Sequence, residues 1–200
     1  SADKTTARAL AFTMSGGFRI IVSKNTSIRS ASDMKGLHIA TSGGPVAEAT
    51  LKALGAIPVP TDLENGSPNI DVDSIDGMET TYSRLALVVG SKTQYTKYIN
   101  ETNHSMFLTT ILASNAFYNS LSPQNQDALK KAALAAAAVE REDSIVLGEK
   151  IKAELAAEGS AIVTLSVTER MSMQGQTDSV YKDFEPTFGM SLIESLQNKY

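Results

Sequence analysis

Three observations predict an α/β fold. A strand, a tight turn, a helix and a second strand follow one another between residues 37 and 59. Short β-branched runs such as Phe18 to Ser23 and Ala161 to Leu165 are bounded by turn residues, as strands are. A helical pattern of roughly 35 residues from Ser122 to Gly159 would reach about 50 Å, longer than one small lobe is wide. Helices alternating with strands imply a covered, largely parallel sheet.

Bulk properties narrow the classes of function. Two hundred residues suffice for one core of ordinary size, or for two small lobes sharing a long connection. Eighteen basic and 22 acidic residues leave a net charge of −4, so no basic face points to nucleic acid. The absence of cysteine removes disulfides, thiolate metal sites and a cysteine nucleophile. No apolar run approaches the roughly 18 residues of a membrane span. The start, SADKTTARAL, lacks the basic and apolar regions of a signal peptide, so any export signal is expected to have been removed or to lie upstream.

Taken in order, Ser1 to Ser15 turns alanine-rich over 7–12 and reads as the tail of a helix, ended by Gly16-Gly17. Phe18 to Ser23 (FRIIVS) is a strand carrying Arg19, a charge that either faces solvent or is held for a partner. Ser32 to Gly36 is a capped turn. Leu37 to Thr41 is a strand, Ser42-Gly43-Gly44 breaks it, and Val46, Ala47, Thr50, Leu51 and Leu54 then recur at helical spacing. Pro45 suits the first helical position, and Gly55 suits the left-handed stop before a strand at 56–59. Two glycines at a helix start expose backbone amides that favour an anion. His38, a lone strand histidine among polar neighbours, is expected on the surface.

Thr61 to Asp73 reads as loop, and its acidic residues lack the spacing of a calcium loop. Ser74 to Met78 is expected as a strand turned by Asp76-Gly77, while TTYSRLALVV fits helix or strand. Tyr82 and Arg84 fall near that turn. Lys97 to Leu112 is expected to hold a buried central strand preceded by His104. Ser114-Asn115 caps a short helix, and Ser122-Pro123 opens the long one. Ser166 or Thr168 caps a helix after the 161–165 strand, and the remainder is amphipathic helix broken near Pro186 and Gly189. Met171, Met173 and Met190 read as core filler.

The stretches SASDMKGLHIAT, LKALGAIPVP, IDGME and KYINETNHSMFLTTILASNAFYNSLSPQNQDALKKAA stand in the order, and at nearly the spacing, of one family. Over Gly17 to Glu154 the chain resembles the solute-binding proteins of tripartite ATP-independent periplasmic (TRAP) transporters, the DctP-like family. The resemblance implies a type II periplasmic-binding-protein-like fold with two lobes joined by a long helix. Residues 17–112 would be mostly the second lobe, and 113–200 the connecting and C-terminal helices spanning both lobes. Residues 1–16 would be a truncated remnant, since the N-terminal part of one lobe has no counterpart in this chain.

The resemblance also assigns a site. Arg19 takes the place of a ligand-contacting arginine, whose planar fork can hold a carboxylate in two bonds. The family's Gly-x-Lys-Ile-Arg reads Gly36-Leu37-His38-Ile39-Ala40 here, so Ala40 replaces the principal carboxylate anchor. Thr80 stands for the asparagine of Asp-Gly-x-Glu-Asn, after Glu79, and Leu63 falls where an aromatic packs on the ligand. Thr41 and Ser42 supply hydroxyls, and His104 a cleft-lining donor. Arg84 could compensate for Ala40.

The function implied is capture of a small carboxylate, C4-dicarboxylate-like or other, in the periplasm and its delivery to integral-membrane permease subunits. No catalysis, cofactor, metal or nucleic acid is expected. Two other classes stay open. One is a ligand-sensing effector module of the same fold, against which the absence of a helix-turn-helix start counts. The other is an enzyme on a phosphorylated metabolite, favoured only by the Ser42-Gly43-Gly44 turn.

Overall fold

A computed structural model of the chain describes residues 6–14, 16–61, 71–88 and 96–197. Its strands are β1 (Ala7–Thr13), β2 (Ile20–Ser23), β3 (His38–Thr41), β4 (Ile57–Pro60), β5 (Gly77–Thr80), β6 (Tyr98–Glu101), β7 (Thr109–Ser114) and β8 (Ala161–Thr164). Its helices are α1 (Gly44–Ala53), α2 (Tyr82–Val88), α3 (Asn115–Ser120), α4 (Pro123–Ala157), α5 (Val167–Gln176), α6 (Asp178–Phe188) and α7 (Met190–Gln197).

The crossover forms as its residues require. β3 and β4 pair in parallel with α1 between them, Pro45 lies in the first helical positions, and Gly55 stops α1 with φ of 91°. Strand order in the main sheet is β4-β3-β5-β2-β6-β8. β2 runs antiparallel to both of its neighbours, and every other adjacent pair is parallel. The carboxyl ends of β3, β5 and β6 therefore emerge together, beside the amino end of β2, the edge at which open α/β sheets place ligands.

Alternation along each strand sends side chains to opposite faces. Ile20, Val22, Ala40, Met78 and Ile99 pack on Leu85 of α2 and on Ile151 and Leu155 of α4. Ile21, Ile39 and Val163 meet Leu51 and Leu54 of the α1 region, Met173 of α5, and Met34 of a 3₁₀ turn over 31–34. Each of the larger of these side chains, fully buried, contributes about 1.5–3 kcal/mol. The sheet is thus covered on both faces.

Gly77 shows how closely its centre is packed. A Cβ added there would intrude on the Val22 carbonyl oxygen of β2 and press on the Ile39 side chain. Gly77→Ala is expected to cost about 1–3 kcal/mol, seen as a lower urea midpoint with unchanged slope.

Several elements depart from expectation. The alanine-rich start is strand β1, not a helical tail, and it pairs antiparallel with β7 in a separate two-stranded ribbon. Its small inward residue Ala11 lets the ribbon sit on Ala133 and Ala137 of α4, while Phe12 points out at 59% exposure. Tertiary pairing here overrides alanine's preference for helix. The strand that His104 precedes is not buried and central: it is the half-exposed β7 of the ribbon, and the buried strand of this stretch is β6, which ends before His104, because the chain leaves the main sheet there. The strand expected at 74–78 starts later, at Gly77, after a 3₁₀ turn capped by Asp71. The next segment is helix α2. α6 runs through Pro186 and ends at Gly189, with φ of 79°. Met173 is core, whereas Met171 is 65% exposed.

α4 is one helix of 35 residues, capped by the Ser122 hydroxyl, which accepts from the Asn125 N–H at 3.3 Å. Its first half carries the ribbon and its last turns cover the sheet. The sheet body is completed from the C-terminal part of the chain by β8 and α5, the latter opened by a Ser166–Glu169 capping box.

Candidate ligand-binding cleft

Glu79, the penultimate residue of β5, is only 1% exposed and lies on the face that carries α1. Thr41, at the end of β3 on the same face, donates its hydroxyl to Glu79 Oε2. His104, just beyond β6, approaches from the other side, with Nε2 at 2.9 Å from Oε1. A carboxylate only accepts, so Nε2 carries the hydrogen of that bond. His104 Nδ1 lies 2.8 Å from the Thr102 hydroxyl, which fixes the ring.

Arg19 enters just before β2. Its N–H donates to the Ser105 carbonyl at 2.7 Å, and the Phe107 N–H donates to the Gly17 carbonyl at 2.9 Å, so segments 17–19 and 105–107 are zipped together. That pairing brings the guanidinium over the Phe107 ring at 4.6 Å, with Nη1 3.6 Å from Glu79 Oε2. The Arg84 guanidinium also lies over Phe107, at 5.0 Å. Arg19 is 7% exposed, which rules out the solvent-facing alternative.

Burial opposes the charge on Glu79. The hydrogen bond and charge of His104, the charge of Arg19 and the Thr41 hydroxyl outweigh it and hold the carboxyl below its ordinary value. The result is a buried ionic cluster beside a cavity of about 260 Å³. Arg19, Glu79, His104 and Phe107 line it, with Gly43 and Val46 from the start of α1.

The sequence-derived site residues divide between the two faces of the sheet. Arg19, Thr41, Glu79 and His104 come together on the α1 side. Ala40 is wholly buried among Ile20, Met78 and Leu85 on the opposite face. Thr80, two residues beyond Met78, shares that opposite face, and its hydroxyl is 3.4 Å from the Thr81 carbonyl. Ser42 is half-buried at the turn, outside the lining of the cavity. Leu63 lies outside the described residues. Of the amides at the crossover turn, Gly43 already donates to Thr41 Oγ1 at 3.1 Å, and Pro45 has none to give. His38 is exposed, as expected, and its N–H donates to Asp76 Oδ2 at 2.8 Å.

Phe107 and Thr102 escaped the sequence reading. An aromatic three residues after His104 was the available signal, but its significance depends on the pairing with 17–19. Among the described residues, no group of three ligating side chains could hold a metal, and no helix is long and apolar enough to cross a membrane.

A doubly covered mixed sheet with a buried cationic fork at its carboxyl edge has the fold of the type II periplasmic-binding class. Comparison with known proteins agrees. Residues 1–187 match the family model of bacterial extracellular solute-binding protein family 7, DctP, and the chain belongs to that family. The C4-dicarboxylate-binding protein DctB of Bacillus subtilis is 25% identical over 200 residues, 98% of this chain and 55% of DctB. A TRAP periplasmic solute-binding protein of Ralstonia eutropha H16, solved with (S)-2-acetolactate, superposes with a TM-score of 0.83 at 22% identity, covering 97% of this chain and 62% of that one. Another, from Shewanella oneidensis and solved with succinate, gives 0.77 at 26% identity over 94% and 61%. The chain therefore spans just over half the length of DctB and about three fifths of those structures.

Proposed function

We propose that this chain is the substrate-capturing part of a TRAP-type transporter, holding a small organic acid in the periplasm for import by membrane permease subunits. One observation carries the reading: the Arg19 guanidinium is buried yet lines the cavity, where its contact with Glu79 through one nitrogen leaves other donors of the fork to meet a carboxylate. The names of the relatives support it, since DctB binds C4-dicarboxylates and the Ralstonia and Shewanella proteins hold 2-acetolactate and succinate. Closure of two lobes on the ligand would create the form that the permease recognises.

The assigned roles follow. Arg19 anchors the carboxylate, Glu79, steadied by Thr41 and His104, holds Arg19 in place, and the His104 ring, both nitrogens engaged by Glu79 and Thr102, lines the rim. Ala40 and Thr80, on the far face, shape the strands beneath the site, and Ser42 is assigned to its margin.

The hydroxyl–imidazole–carboxylate order of Thr102, His104 and Glu79 resembles that of a hydrolase. Thr102 is only 4% exposed, however, and a nucleophile has to reach its substrate. Binding without chemistry is the better reading. A sensing module of the same fold would use the same cleft and differ in its partner.

The test is calorimetry with organic acids, alongside native mass spectrometry of ligands carried through purification. Arg19→Met is expected to weaken carboxylate binding about 10- to 100-fold, the worth of one charge-assisted hydrogen-bonded contact. Arg19→Lys, which keeps the charge but not the fork, should fall between. Equal affinity in Arg19→Met, with the fold intact by circular dichroism, would end the proposal.

A further inference from the structure

The polar cavity adjoins another. Val46, Thr50, His104 and Ser105 line it, and the same four residues also line a second cavity of about 350 Å³. The far wall of that chamber comes from α6 and α7 and includes Tyr181, Phe184, Phe188 and Ile193. The Phe184 and Phe188 rings are stacked with centroids 6.3 Å apart. A cavity of about 150 Å³ accepts a benzene ring, so the chamber has room for a ring and a short chain.

Charge divides the two compartments. In the polar one, Arg19 faces a single carboxylate, Glu79, whose oxygens are already engaged by His104 on one side and by Thr41 and Arg19 on the other. The first carboxylate of a ligand can use the remaining donors of Arg19. Within these two compartments a second would meet no further Lys or Arg: among the described residues neither is lined by one besides Arg19, and Arg170, in an adjoining cavity that shares Thr50 and His104, donates to the Leu165 carbonyl at 2.9 Å. The second carboxylate would instead be stripped of water against aromatic and aliphatic walls, where an unpaired charge is strongly disfavoured. An aryl or alkyl group gains from burial there.

We infer that the cleft takes an amphiphilic monocarboxylate, with its carboxylate at Arg19 and an apolar body in the α6–α7 chamber, in preference to a dicarboxylate. This rests on Arg19 acting as the carboxylate anchor, as proposed above. Tyr181 stands at the chamber wall, and Thr50 and His104 form the neck between the compartments.

The test is titration calorimetry of the purified protein with three probes: acetate, succinate and 4-phenylbutyrate. Phenylbutyrate is expected to bind at least about tenfold more tightly than succinate, and about 10- to 100-fold more tightly than acetate, in keeping with what apolar contacts contribute to discrimination. Phe184→Ala should narrow the gap between phenylbutyrate and acetate about tenfold while leaving acetate unmoved. Leu192→Ser, at an exposed wall position, gives the same readout if Phe184→Ala fails to fold. Succinate binding as tightly as phenylbutyrate, or a gap indifferent to both substitutions, overturns the inference and leaves the organic-acid reading standing. Silence from all three acids overturns both.

Discussion

Glu79→Ala is expected to lower stability by about 3–5 kcal/mol, the cost of removing one partner from a buried ion pair. Arg19 would keep its charge at 7% exposure, and His104 and Thr41 would lose their acceptor. Most of the loss comes from the stranded guanidinium, so Arg19→Met combined with Glu79→Ala should cost clearly less than the two single changes added together. Urea unfolding of the double-mutant cycle measures this, and simple additivity would show that the pair is not coupled. The same cluster predicts an acid limb. The native carboxyl titrates below the ordinary glutamate value of 4.5, so just below that pH the unfolded chain binds more protons than the native one. The contribution is complete above about pH 4.5 and is lost as pH falls through the lower native value. Glu79→Gln should flatten that limb.

The second large effect is expected at Glu101, which ties the long helix to the sheet. Its Oε1 accepts from the Tyr82 hydroxyl at 2.9 Å and meets Lys152 Nζ of α4 at 2.5 Å, while Oε2 accepts from the Thr164 hydroxyl of β8 at 2.6 Å. One carboxylate thus joins α2, α4, β6 and β8. Burial works against its charge, but the Lys152, Thr164 and Tyr82 hydrogen bonds prevail and hold the carboxyl low, whereas burial and the Glu101 charge push the Tyr82 phenol up. Glu101→Gln keeps the shape and removes the charge, and should cost about 1.5–3 kcal/mol, the range for hydrogen bonds to a charged group. Lys152→Met should cost less, because that side chain is 30% exposed and its ammonium can turn to water. Hydrogen exchange should show the last turns of α4 opening more readily in Glu101→Gln. A loss no larger than that of Lys152→Met would refute the assigned role.

What could be read from residue order is local. The β3–α1–β4 crossover, its Pro45 start and Gly55 stop, the Ser122 cap with the full length of α4, and the Ser166 cap each depend on contacts within a few residues, where backbone geometry and hydrogen-bonding valence leave few choices. The resemblance carried the fold class and pointed to Arg19, Thr41, Glu79 and His104. It could not say on which face of the sheet each assigned residue would stand.

Pairing over long separations settled the remainder. β1 is a strand only because β7, about a hundred residues later, offers a ladder and α4 offers small side chains to rest on. Arg19 is buried only because 105–107 zip to 17–19 and Glu79 lies beside it across the β2–β5 pair. Strand register, with its period of two, puts Ala40 and Thr80 on one face and Thr41 and Glu79 on the other. Beyond the local β3–α1–β4 crossover, composition and spacing along the chain do not say which strand will be the neighbour, and that choice is what makes a cluster of charges into a cleft.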